Sequence, residues 1–140
     1  MRIAALDLGD VWVGIALSDP LHMLARPYKT VTLSKLTETL TEIIAQEQVT
    51  EIVVGDPQTL RGTVSEQTLR VRAQLAELQK QFPSITWNTW DERLTSKQAS
   101  TIQRGGSKEE KQRQHSVAAA LILRSYLDRL AWKKQYTELP

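Results

Sequence analysis

Four acids and one histidine stand where side chains could do chemistry. Asp7 closes the apolar run RIAAL and is followed by Leu8 and Gly9. Asp56 lies in VVGDP, where Gly55 permits close approach of a backbone or ligand and Pro57 stiffens the exit. Asp91 and Glu92 follow the run SITWNTW, in a loop ahead of Thr95 or Ser96 as a helix cap. A carboxylate at the end of an apolar strand is costly to bury unless a cation or hydrogen-bond donors satisfy it, so such positions imply a metal or phosphate-facing site. Each acid also has a plainer role: Asp7 and Asp56 as turn residues, Asp91 and Glu92 in capping and surface pairing. His115 opens the apolar helix stretch HSVAAALILRSYLDRL, where the plain role is packing beside Ala118, Ala119 and Ile122.

Other chemistries are excluded or unsupported. There is no GxGxxG dinucleotide loop, no GxxxxGK phosphate loop and no HExxH pair. With two histidines and no cysteine, neither a histidine-rich nor a thiolate zinc site is available. The absence of cysteine suits a reducing compartment, and no apolar run approaches the roughly 20 residues of a membrane span, so a soluble, cytoplasmic protein is expected. The net charge of +2 identifies no partner, but from Arg93 to Pro140 ten Lys or Arg face four acids. That surplus either meets phosphates or forms a solvated helix face.

These residues need elements to hold them. RIAALDL and VWVGIALSD, joined through Gly9 and Asp10, read as a hairpin, and ARPYKTVTL as a third strand with Pro27 near its start. Ser34 can cap a helix to about Gln48, with Leu36, Leu40, Ile43 and Ile44 at helical spacing. EIVVGDP is a short buried strand. Val64 to Gln81 is a charged helix with Leu69, Ala73, Ala76 and Leu78 turned partly inward, and SITWNTW is the last strand. Helices from about Thr95 to Gln103 and from about Lys111 to Trp132 close the chain. The order βββαβαβα plus one further helix predicts an α/β fold: a mixed five-stranded sheet with helices packed on it, in one domain over residues 1–140. If the first strand lies between the second and fourth, Asp7 and Asp56 can approach one another.

Taken in order, ALDLGDVWVGIALSD, EIVVGDPQTLRG, WDERLTSKQA and SVAAALILRSYLDR resemble the YqgF family of ribonuclease H-like proteins, which are pre-16S rRNA nucleases also described as Holliday junction resolvases. The resemblance runs from about residue 2 to residue 130. It implies a ribonuclease H-like fold and phosphodiester hydrolysis with Mg²⁺ or Mn²⁺ held by carboxylates. The family's first two metal-binding acids carry over as Asp7 and Glu92, and its third position falls on His115. Arg93, Lys97, Arg104, Lys108 and Lys111 would then position the phosphate backbone. Two further departures are Asp10, Val11 and Trp12 after the first glycine, where the family has small polar and basic residues, and Asp56, which stands as a possible extra ligand. Asp128 cannot replace a third acid, since 13 residues of helix put it about 20 Å from His115.

The resemblance implies a metal-dependent nuclease acting on structured RNA, in 5′-end maturation of pre-16S rRNA, or a resolvase of branched DNA, working as a monomer or homodimer. A different class is a nucleic-acid-binding or assembly factor whose cleavage is weakened because His115 stands in an acid's place.

Overall fold

The structure, a computed structural model, describes residues 1–57, 64–92 and 108–137. Strands β1 (Arg2–Leu8), β2 (Trp12–Ser18) and β3 (Ala25–Thr32) form an antiparallel meander. A 3₁₀ turn (Leu33–Lys35) leads into α1 (Leu36–Gln46), followed by β4 (Val49–Asp56), α2 (Glu66–Gln81), β5 (Thr86–Asp91) and α3 (Lys108–Thr137). The sheet order is β3-β2-β1-β4-β5, with β4 and β5 parallel to β1, so the first strand does lie between the second and fourth. Tyr28 is the extra residue where β3 slips past β2, between the pairs Ile15–Lys29 and Ala16–Pro27. Pro27 thus sits at an irregularity of an edge strand, where a missing N–H costs least.

Alternation along each strand divides the core in two. Ala4, Leu6 and Leu8 of β1, with Val13, Ile15, Ile52 and Val54, pack under Leu40 and Ile43 of α1 and Val71, Leu75 and Leu78 of α2. Ile3, Ala5, Ala16 and Val53 form the other face, covered by Ala119, Ala120, Ile122, Leu123 and Leu127 of α3. Small residues on both sides of this second layer let the helix lie close to the sheet, which matters for the site.

Three sequence expectations need adjustment. Ser34 lies inside the 3₁₀ turn, and neither that turn nor α1 has a side-chain cap. In α2 the inward stripe is Thr68, Val71, Leu75 and Leu78, while Leu69 is 59% exposed. The reason is the start: Ser65 forms a capping box with Thr68, which fixes the helix phase and sends Leu69 outward. The last helix is longer at both ends than expected, beginning at Lys108. The expected helix from Thr95 to Gln103, with Arg93, Lys97 and Arg104, falls outside the described residues. None of the described helices is long and apolar enough to cross a membrane.

Candidate active site

Strand parity decides which acids meet. Asp7 follows Ile3 and Ala5 onto the α3 face of β1. On β5, Asn88 and Trp90 face α3, and Glu92 continues that set just past the strand's end. Asp56 takes the opposite parity and faces α2, where Arg72 Nη2 lies 3.2 Å from its Oδ2. Asp7, Asp56 and Asp91 all lie at the carboxyl ends of parallel strands, the usual place for ligands in an open α/β sheet. The structure therefore brings Asp7 and Glu92 to one face and holds Asp56 across the sheet edge.

Electrostatics couple the four acids all the same. Burial pushes the Glu92 carboxyl up to about 7, and the charges of Asp7, Asp56 and Asp91 add to that rise. The site is thus richer in negative charge than it can hold comfortably, and a cation would relieve it.

α3 brings the histidine. Gly14 is the register partner of Asp7 on β2, and a Cβ built on it would overlap the His115 carbonyl and stand 2.8 Å from the Ser116 nitrogen. The helix backbone rests directly on that glycine. His115 consequently lies over Asp7, with Nδ1 3.7 Å from Oδ2, both side chains partly exposed. Thr30 of β3 donates to the Gln112 carbonyl and fixes the same first turns. At Gly55 the close approach is by side chains: a Cβ there would meet Glu92 Oε1 at 2.6 Å and Ile122 Cδ1 at 2.7 Å. Deeper on the same face Tyr126 donates to Glu51, which also accepts from Asn88 at 2.9 Å. Burial, and then that bond, hold the Tyr126 phenol well above its usual range, and the network pins β4, β5 and α3 together beneath the site.

Three residues of the surround escaped sequence reasoning: Gly14, Arg70 and Arg72. Arg70 lies 3.3 Å from Asp10, so the turn after the first glycine, acidic where basic residues were expected, has a cation supplied by α2 instead. The available signal was an arginine on each side of an inward-facing valine, which sends one to each flank. Lys108 and Lys111 fall in the first turn of α3, at the same end as His115.

The donor set suits a hard cation. Mg²⁺ is commonly held by one or two carboxylates with water and substrate phosphates filling the rest of its shell, and Asp7 and Glu92 are such a pair. Among the described residues no three His, Asp or Glu are already arranged to hold a metal ion, so substrate or water oxygens would have to complete it. A cavity of about 510 Å³ lies at the far end of β1, lined by Arg2, Ser18, Asp19 and Glu47 among others, away from this cluster. The acids lie at the opposite end of β1, where the parallel strands β1, β4 and β5 reach their carboxyl ends.

A mixed sheet in this order, acids at the carboxyl ends of β1 and β5 and a helix crossing beside them define a ribonuclease H-like protein. The fold matches Thermus thermophilus RuvC in complex with a Holliday junction substrate at a TM-score of 0.60 and 12% identity, covering 94% of this chain and 96% of that one. Sequence goes further than fold: the chain belongs to the RuvX (YqgF) family of Holliday junction resolvases, which it matches over residues 1–129. A protein of Rubrobacter xylanophilus named "Putative pre-16S rRNA nuclease" is 44% identical over 128 residues, 91% of this chain and 92% of its own. One of the same name from Lachnospira eligens is 36% identical, over 91% of this chain and 97% of its own.

Proposed function

We propose that residues 1–140 work as one nuclease domain that hydrolyses phosphodiester bonds in structured RNA, in 5′-end maturation of pre-16S rRNA in the cytoplasm. The observation that carries this is the pairing of Asp7 and Glu92 on one face at the rim of the sheet, on a ribonuclease H-like fold. The names of its relatives support the RNA substrate.

Asp7 and Glu92 would hold Mg²⁺ or Mn²⁺, and Asp56 would act from across the sheet edge through its charge. When bound, such an ion supplies Lewis acidity and lowers the pKa of bound water. The chain's own residues set the terms. Glu92 keeps a proton over much of the range below about 7, so below that pH a cation must displace the proton to meet its full charge. Asp7, against His115, orients its carboxylate on the α3 side. Imidazole brings no negative charge and favours softer ions than carboxylate does, which shifts preference from Mg²⁺ toward Mn²⁺. Arg93, Lys97, Arg104, Lys108 and Lys111 would grip the phosphate backbone, without reading sequence.

Two further readings have observations behind them. The family description favours cleavage of branched DNA, and His115 beside Asp7 favours a binding factor with weakened cleavage. Incubating the protein with a precursor rRNA fragment and with a four-way DNA junction, each in Mg²⁺ and in Mn²⁺, separates them. Cleavage of the RNA that disappears in Asp7→Asn is the expected result. Cleavage that persists in Asp7→Asn sinks the metal assignment, and binding without cleavage in either metal favours the second class.

A further inference from the structure

The far end of α3 carries a feature that the acid cluster does not use. Leu130 is the last residue of the helix packed against the sheet core, and every side chain from Ala131 to Tyr136 is exposed. On this overhang Arg129, Trp132, Lys133 and Tyr136 follow one another at i, i+3, i+4 and i+7, the spacing of a single helix face. Trp132 is 52% and Tyr136 55% exposed. Their ring centroids are 4.6 Å apart, with planes tilted by 39°. The Arg129 guanidinium lies 5.4 Å from the Trp132 centroid. Between residues 124 and 138 four cations, Arg124, Arg129, Lys133 and Lys134, stand against two acids, Asp128 and Glu138.

We propose that this face is a stacking platform for single-stranded nucleic acid, gripping unpaired nucleotides that flank the scissile bond. Half-exposed aromatic rings accept any base, with Arg129 adding a cation–π partner, and neighbouring cations meet the phosphates, a combination that binds single strands without sequence preference. Charge decides among occupants. Arg129 lies over Trp132 and Lys133 falls on the same helix face, so the surface is cationic as well as aromatic, which suits a phosphate-bearing strand over an apolar protein core. Seventeen residues of helix separate Trp132 from His115, about 26 Å. The platform would thus hold the substrate at a fixed distance from the acids, and the inference rests on the nuclease reading above.

The test measures binding of a labelled 20-nucleotide single-stranded RNA in EDTA, by fluorescence anisotropy, to the full chain. Trp132→Ala with Tyr136→Ala is expected to weaken binding about tenfold or more. Trp132→Phe with Tyr136→Phe, which keeps both rings, should stay within about twofold of the parent. Circular dichroism checks that α3 persists, and sizing at the same concentrations checks mass. Unchanged binding in the alanine variant, while Asp7→Asn still abolishes cleavage, overturns the platform and leaves the nuclease reading intact. Loss of cleavage dependence on Asp7 with platform binding retained does the reverse. A shift in mass, or in binding to anionic phospholipid vesicles measured in parallel by flotation, without loss of RNA affinity also overturns the platform, since the face would then serve protein or lipid.

Discussion

His115 beside Asp7 and the raised carboxyl of Glu92 are the two residue-level departures from an ordinary carboxylate site, and each has a measurable consequence. Restoring an acid with His115→Asp adds a hard oxygen donor next to Asp7. Cleavage in Mg²⁺ should rise about tenfold, equivalent to about 1.4 kcal/mol in the barrier, with less gain in Mn²⁺. Single-turnover rates in the two metals check this. Glu92 governs stability instead. Its folded-state value of about 7 lies above the ordinary 4.5, so the native state holds that proton more tightly than the unfolded chain. Its contribution is intact below pH 4.5 and is lost as pH rises toward 7, destabilising the metal-free protein by on the order of 2–3 kcal/mol above that. Urea unfolding in EDTA at pH 5 and pH 8 should show the fall, and Glu92→Gln should flatten it. Added Mg²⁺ should recover stability at pH 8 in the parent and not in Asp7→Asn.

Among the elements, α3 depends on one missing methyl. Gly14→Ala would drive a Cβ into the His115 carbonyl, against backbone that cannot step aside. The expected cost is about 2 kcal/mol or more, with cleavage reduced even where the protein stays folded, because His115 and Asp7 part. Thermal melts and rates on the same preparation separate the two effects. Gly55→Ala meets mainly side-chain ends, so it should disturb activity through Glu92 more than stability. The strands were legible in the sequence because apolar runs, Gly-Asp turns and period-two alternation agreed. That same alternation already contained the separation of Asp56 from Asp7. Gly14 was not legible, since a glycine inside a strand shows its reason only when the helix above it is in place. The stripe of α2 was misread because Leu69 carries apolarity without facing inward, and the capping box at Ser65 outweighed it.

At the scale of the whole molecule, charge is arranged in opposition: acids gather on one rim, and cations come to them from α2 and continue along α3. Nucleic-acid affinity should therefore fall steeply with salt, and each phosphate contact removed should reduce the slope of log affinity against log salt by about 0.7 to 0.9. Titrations of Lys108→Gln and Lys111→Gln at several salt concentrations check whether the first turn of α3 contributes such contacts. α3 itself runs without a break over 30 residues, from beside the acids to the overhang. One continuous helix, clamped at Gly14 and overhanging past Leu130, behaves as a ruler. With Trp132 and Tyr136 holding the strand, the helix length sets how far from the acids that strand is gripped, so a change in that length would move the cut.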